Sequence, residues 1–137
     1  MNFYLVAILG CVLSFLGVYF LMPPYIKALK DIKGIELFKK DFDSTDNYAY
    51  FPILINEEYG HSRDELYDWL KYNGIYSRKY FCPITADQAC FRNKYKMDSL
   101  ECARKLSQNI LVLPLFEDME LIDIERICEY IRNYGRR

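Results

Sequence analysis

The sequence predicts an α/β (α+β-like) fold in which about three strands are covered by helices, preceded by one hydrophobic helix. Three observations support this prediction. Apolar residues recur at helical spacing in several segments, other segments of strand length are almost continuously apolar, and residues 3–22 carry no charge. The 137 residues suffice for one domain. Because 18 basic residues nearly balance 19 acidic ones and form no large basic patch, no nucleic-acid partner is expected.

Residues 3–22 are predicted to form a transmembrane helix, which divides the chain into a hydrophobic segment, 1–24, and a folded domain, 25–137. Twenty apolar residues in a helix rise about 30 Å, the thickness of a bilayer core. The protein is thus expected to be anchored in the membrane by this segment. Lysines follow the segment and none precedes it, so the positive-inside rule predicts that the C-terminal domain lies in the cytoplasm. A signal peptide is disfavoured because its basic region and cleavage site are both missing. In a further interpretation the segment is a product of gene rearrangement, and the protein is then cytoplasmic.

The elements after the apolar segment begin with a short helix over 25–33. Pro23-Pro24 separates this helix from the apolar one, and Gly34 ends it. The polar residues 39–47 predict a loop.

The run YAYFPILIN, 48–56, is predicted to be a strand. Its apolarity is continuous rather than alternating, which favours a strand covered on both faces. Pro52 within the run favours an edge or bulge position, because proline cannot donate a ladder hydrogen bond.

A helix with a capping box follows, since Ser62 and Glu65 have the spacing of that motif. Its expected buried residues are Leu66, Trp69 and Leu70. Gly74 suits the left-handed position just past the helix end. The next expected elements are a strand over 75–81, a loop over 82–98 and a helix from Asp98 or Ser99 with Leu100, Ala103 and Leu106 inward. A strand over 109–116 follows. The last helix, over 119–134, is expected to bury Leu121, Ile124, Cys128 and Ile131.

The cysteines and the single histidine predict no metal or catalytic centre. Five cysteines occur without a CxxC pair, so they are expected to be reduced, four of them as small buried hydrophobes. His61 precedes a helix cap and has no nucleophile motif beside it, which disfavours a catalytic role. No glycine cluster forms a phosphate-binding loop.

Arg78 and Lys79 are the charged residues that the sequence offers as candidates for contacting a ligand. They are neighbours in a predicted strand and should therefore point to opposite faces. One of them is a candidate ligand contact, although the simpler interpretation is that both reach solvent.

The stretch YFPILIN, the later RDELYDWLKYNGIYSRKYFCPI and the late LVLPLF together resemble the C-terminal domain of the DegT/DnrJ/StrS family. Members of this family are pyridoxal-phosphate-dependent aminotransferases that act on nucleotide-linked keto sugars. The resemblance covers about residues 25–134. The residues that match in type and order are Arg63, Asp64, Leu66, Leu70, Gly74, Ile75, Arg78, Tyr80, Phe81, Pro83, Leu113, Pro114 and Leu115.

The resemblance implies the small C-terminal domain of a fold-type I aminotransferase. In complete members a lysine of a large N-terminal domain holds the cofactor, and no lysine here matches it. No cofactor, catalytic residue or metal ligand is therefore assigned to this chain. Arg78 and Tyr80 are implied as substrate contacts, because the R-x-Y-F-x-P loop of the family lies near the mouth of the active site.

The expected function is that of a truncated C-terminal portion of a sugar aminotransferase, inactive alone. Its expected partner is a separately encoded large domain or a homodimer partner. The alternative is a membrane-anchored, non-catalytic binding or interaction domain. If a large domain normally covers this one, apolar surface should be exposed within residues 75–83 and 110–116.

Overall fold

The computed structural model describes residues 3–38, 49–91, 100–116 and 118–137. Its main elements are α1 Phe3–Leu29, β1 Ile35–Leu37, β2 Phe51–Ile55, α2 Arg63–Tyr72, α3 Glu101–Asn109, β3 Ile110–Leu113 and α4 Leu121–Tyr134. The strands form one antiparallel sheet in the order β1-β2-β3. The predicted mixture of helices and a three-stranded sheet is confirmed. The predicted loop at 39–47 and the helix start at Asp98 or Ser99 lie outside the described residues.

One face of the sheet forms the core with α1, α2 and α4. In β2, Phe51, Ile53 and Ile55 are buried and alternate with residues that are half-buried, so cover on the opposite face is only partial. Tyr25 of α1 stacks on Phe51 with ring centroids 4.6 Å apart. Its hydroxyl donates to the carbonyl of Pro114 at 2.9 Å. A buried hydroxyl needs such a partner, and this one joins α1 to the chain just after β3.

Pro52 lies in the middle strand, so the predicted edge or bulge position is wrong. The N–H of Asn56 donates to the Gly34 carbonyl at 2.9 Å, so even-numbered residues of β2 direct their N–H groups toward β1. The β1 ladder ends where Leu37 pairs with Ile53. Pro52 lies one residue beyond that ladder, and its missing N–H therefore removes no strand-pairing bond.

The α1 helix continues through Pro23-Pro24, so the predicted break there is wrong and the short helix over 25–33 is the end of α1. Leu21, Tyr25 and Leu29 recur at a spacing of four and are buried. Each buried side chain of this size contributes about 1.5–3 kcal/mol. Together they offset the cost of about 3 kcal/mol for proline in a helix interior.

The transmembrane helix predicted over residues 3–22 is not supported. Within the ranges that the structure describes, no helix is long and apolar enough to cross a membrane.

The α2 helix confirms the predicted capping box. The Ser62 side chain accepts from the Glu65 N–H, and the Glu65 carboxylate accepts from the Ser62 N–H at 2.7 Å. Gly74, at φ 76°, has the predicted left-handed conformation. Leu66 and Leu70 are buried as predicted, and Trp69 is half-buried.

Two predicted helix faces differ from the structure. In α3 the side chains of Ala103 and Leu106 are exposed, and Ser107 is the buried residue. This helix therefore contributes little to the core. In α4 the predicted burial is confirmed except at Leu121, which is 57% exposed in the first turn.

Strand content also differs. The predicted strand 75–81 is reduced to a single antiparallel bridge between Arg78 and Val112. The strand β1 was not predicted, because its three residues are too short to show a period.

The cysteine prediction is wrong in part. All five cysteines are free, as predicted, but only Cys128 is buried. Burial raises the pKa of the Cys128 thiol to about 12. Cys82, Cys90 and Cys102 are exposed because they lie on a loop or on the outer face of α3.

Gly34 is predicted to be the glycine that the fold tolerates least when changed. Its φ is 79°, and an added Cβ would fall on the backbone N and Cα of Tyr59. We expect Gly34→Ala to lower the free energy of unfolding by at least about 3 kcal/mol, measured by urea denaturation.

Gly74→Ala is the matched control, because Gly74 has φ 76° but open space where the Cβ would lie. This change should cost only about 1–2 kcal/mol. Equal losses for the two variants would contradict the proposed backbone contact.

Candidate functional site

A groove of about 450 Å³ lies beside the outer edge of β3. Its apolar floor includes Val112 and Leu113, and the start of α4 forms one wall. Its polar or aromatic lining residues are Tyr50, Tyr76, Arg78, Phe116, Asp123 and Arg126. A small apolar cleft with a few polar groups is the usual form of a ligand site.

Of the two predicted substrate contacts, Arg78 lines this groove, and Tyr80 contacts Arg78 beside it. Arg78 is fixed by paired backbone hydrogen bonds with Val112, both 2.9 Å long. Its Nη1 lies 3.4 Å from the Tyr80 hydroxyl, to which it donates. Tyr50 packs edge-on against Tyr80 with ring centroids 5.1 Å apart. Sequence analysis missed Tyr50, since only the antiparallel sheet brings it beside Arg78.

The three side chains influence one another's protonation. The hydrogen bond from Arg78, and then that with Tyr50, hold the pKa of Tyr80 below its ordinary value. The hydrogen bond with Tyr80 raises the pKa of Tyr50. The guanidinium and the two phenols together offer donors suited to anionic or hydroxyl-rich ligands.

Lys79, the neighbouring candidate, points away from Arg78 toward α2, as the strand geometry predicts. Its Nζ lies 2.7 Å from an Asp64 oxygen and 4.2 Å from the Tyr67 ring centroid. The hydrogen bond from Lys79 is the largest of the causes that lower the pKa of Asp64. Lys79 is therefore engaged with α2 rather than with the groove.

Arg63 holds the segment that follows Tyr80. Its side chain is only 2% exposed. Nη1 donates to the carbonyls of Ser107 and Ile110 at 3.1 and 3.0 Å, and Nη2 lies 3.5 Å from the Cys82 sulfur. Ser107 in turn donates its hydroxyl to the Phe81 carbonyl at 2.7 Å. The loop after Tyr80 is thus tied to α2, α3 and β3.

Apolar surface around the groove is exposed at several of the expected positions. Tyr76, Phe81 and Phe116 are exposed by 73%, 77% and 52%. Ile75 and the residues of β3 from Leu111 to Leu113 are buried in the domain itself. The expected exposure thus applies to Tyr76, Phe81 and Phe116 and not to Ile75 or to Leu111–Leu113.

The groove does not fit the attachment of pyridoxal phosphate. Attachment requires a lysine amine, and none of the described lining residues is a lysine. No step through that cofactor is therefore assigned to the side chains of this groove.

Comparison with solved structures identifies the fold as that of sugar aminotransferases. DesI, solved in the presence of its TDP-sugar product, matches with a TM-score of 0.83 and 24% identity over 90% of this chain and 32% of its own. PseC of Helicobacter pylori, an aminotransferase of pseudoaminic acid biosynthesis, matches with a TM-score of 0.79 and 14% identity over 90% of this chain and 33% of its own. Coverage of 90% exceeds the share of the chain after residue 20, so the likeness includes earlier residues of α1. An unrelated hydrophobic segment fused before the domain is therefore not supported.

The chain belongs to the DegT/DnrJ/EryC1/StrS aminotransferase family, whose model matches residues 20–132. It is 37% identical over 97 residues to dTDP-4-amino-4,6-dideoxy-D-glucose transaminase of Escherichia coli, covering 69% of this chain and 26% of the relative. The Shigella dysenteriae transaminase of that name is 33% identical over 108 residues, covering 79% and 29%. The chain thus spans between a quarter and a third of the length of these relatives.

Arg63 is predicted to stabilise the fold strongly. Arg63→Met removes the donors to the Ser107 and Ile110 carbonyls, which remain in a buried site. We expect the free energy of unfolding to fall by about 3 kcal/mol in urea denaturation. Arg104→Met is the control, since Arg104 is exposed and pairs with Asp87, and it should cost less than about 1 kcal/mol. Similar losses in both variants would argue against the buried network.

Arg78 is predicted to set the protonation of Tyr80. Without its guanidinium, in Arg78→Met, the pKa of Tyr80 should rise toward the ordinary tyrosine value. Ring-labelled tyrosine NMR during a pH titration measures this change, with Tyr80→Phe identifying the signal. Arg126→Met is the control, because Arg126 lines the same groove but donates to the Asn73 carbonyl. A Tyr80 pKa that Arg78→Met leaves unchanged would contradict this assignment.

Proposed function

We propose that this chain provides the C-terminal small domain of a nucleotide-sugar aminotransferase and is inactive without a large domain. In this proposal the large domain belongs to a separately encoded chain and carries the cofactor lysine. The observation that carries the proposal is the family match over residues 20–132. The aligned residues make up 26% and 29% of the two transaminases, so they correspond to the smaller part of a family enzyme.

The exposed apolar surface supports a partner. In the first half of α1, the side chains of Val6, Ile8, Leu9 and Val12 are each at least 46% exposed. Tyr76 and Phe116 at the groove are exposed as well, and clustered exposed apolar side chains are typical of an interaction surface. A large domain that packs on α1 and on the rim of the groove would cover both regions.

The proposed substrate contacts are Arg78 and Tyr80. Arg78 would pair with an anionic group of the nucleotide-sugar, since a guanidinium matches phosphate oxygens well. The Tyr80 hydroxyl, already oriented by Arg78 at 3.4 Å, would bond a sugar hydroxyl or a phosphate oxygen. Tyr50 would hold the Tyr80 ring in place. This division gives the small domain a role in recognition and leaves the amino transfer to the large domain.

The experiment combines this chain with the part of the Escherichia coli transaminase that the match does not cover, produced as a separate chain. Conversion of the keto sugar to dTDP-4-amino-4,6-dideoxy-D-glucose, with pyridoxal phosphate and an amino donor, is measured for each chain alone and for both together. We expect conversion only with both chains. Conversion by this chain alone would contradict the proposal.

Variants of the combined system test the substrate contacts. Arg78→Ala and Tyr80→Phe should each raise KM about tenfold or more, because each removes a hydrogen bond to a charged or polar group. Lys79→Ala is the matched control, since Lys79 points toward α2, and it should leave KM nearly unchanged. Unaltered KM in the two groove variants would remove both residues from the substrate site.

A further inference from the structure

The wall that α4 contributes to the Arg78 groove carries a second pair of polar side chains, Asp123 and Arg126. The two residues are three apart in the helix, so their side chains are neighbours on one face. They do not neutralise each other, since among the described residues neither belongs to an ion pair. A carboxylate and a guanidinium thus lie side by side in a groove whose floor is apolar.

Both side chains keep hydrogen-bonding capacity that no described residue uses. Asp123 accepts the Glu120 N–H through Oδ2 at 3.1 Å, which leaves Oδ1 as an open acceptor. Arg126 donates through Nη2 to the Asn73 carbonyl at 3.1 Å, which leaves Nε and Nη1 as open donors. The two bonds also orient the side chains. The groove therefore presents an oriented acceptor beside an oriented donor.

An acceptor beside a donor matches a ligand edge on which an N–H adjoins a carbonyl oxygen. The imide of uracil and thymine has such an edge, whereas cytosine presents a ring nitrogen with a lone pair at the same position, which a carboxylate repels. We propose that Asp123 accepts the imide N–H of a uracil or thymine base, while Arg126 donates to a carbonyl oxygen beside it. The inference rests on the proposed function, because it identifies how this domain would select the base of the nucleotide-sugar.

The rest of the groove suits the remainder of a nucleotide. Its volume of about 450 Å³ is typical of small-molecule sites. Tyr76 lines it and is 73% exposed, so its ring is available for stacking on a base. Arg78 follows two residues later and therefore projects from the same face of this extended segment, where its guanidinium matches phosphate oxygens. Because Arg126 bonds Asn73 at the start of the segment, the base would lie toward α4 and the phosphate toward Tyr80.

The test is a calorimetric titration of the purified full chain with three ligands: dTMP, dTMP methylated on the imide nitrogen, and dCMP. We expect dTMP to bind and the other two to bind at least about tenfold more weakly. Methylation removes the N–H that Asp123 would accept, and cytosine replaces it with a lone pair, so each leaves the carboxylate without its partner.

Two variants assign this discrimination to its residues. Asp123→Asn keeps one oxygen for the Glu120 N–H and turns an amide N–H toward the base. This variant should bind dTMP at least about tenfold more weakly, and methylation should no longer matter to it. Arg126→Met removes the donor to the carbonyl oxygen and should also weaken dTMP binding about tenfold.

The matched controls are the same two kinds of change elsewhere on α4. Glu125→Gln alters a neighbouring carboxylate that does not line this groove. Arg132→Met alters a guanidinium that bonds the Ala28 carbonyl instead. Both controls should bind dTMP with the wild-type affinity and should retain the effect of methylation.

Two results would overturn the proposal. One is a wild type that does not bind dTMP at millimolar concentrations. The other is a wild type that binds dTMP no more tightly than its methylated analogue or dCMP. If circular dichroism shows that a variant is unfolded, the three ligands still decide the proposal on the wild type alone. Because no conversion is measured, failure here is distinct from failure of the two-chain test of the proposed function.

Discussion

The geometry of the candidate site depends on one buried cation. Arg63 begins α2, yet its guanidinium ends among backbone carbonyls at the junction of α3 and β3. A charge in such a place is stable only when its donors are satisfied. Its Nε bonds Asp64 at 2.7 Å and its Nη1 bonds two carbonyls. Arg63 therefore joins α2, α3 and β3, and it also holds the loop after Tyr80.

The core explains why this arrangement can be rigid in a small domain. The buried face of β2 lies against α1 and α4, while Arg63 and Ser107 fasten the far edge of the sheet with polar contacts. An aromatic series adds a third connection, in which Trp69 of α2 stacks on Tyr134 of α4 at 5.3 Å and Tyr134 packs on His61 at 4.3 Å. His61 thus has a packing role. At the groove itself, the backbone of Arg78 is held by its paired hydrogen bonds with Val112.

The sequence predicted those features that depend on local chemistry. The capping box at Ser62, the left-handed Gly74 and the buried positions of α4 all follow from nearest neighbours along the chain. Prediction from the sequence failed where contacts between residues far apart along the chain decide the structure. The proline pair in α1 is tolerated because Leu21 and Leu29 are buried in the core, and Pro52 is tolerated because β1 is too short to require its N–H. Neither the burial of these leucines nor the length of β1 can be predicted from the residues next to the prolines.

The same reasoning applies to the site. Arg78 and Tyr80 could be chosen from the resemblance to a family, because they belong to one short motif. Tyr50 could not, since it precedes β2 and reaches Tyr80 only through the antiparallel pairing of β2 with β3 and of β3 with Arg78.

The α1 helix connects the core of the domain to the Arg78 groove. Its Tyr25 stacks on Phe51 and donates to the Pro114 carbonyl, and Pro114 lines the groove. The position of the segment after β3 therefore depends on the position of α1. A partner that packs on α1 would for this reason also act on the shape of the groove.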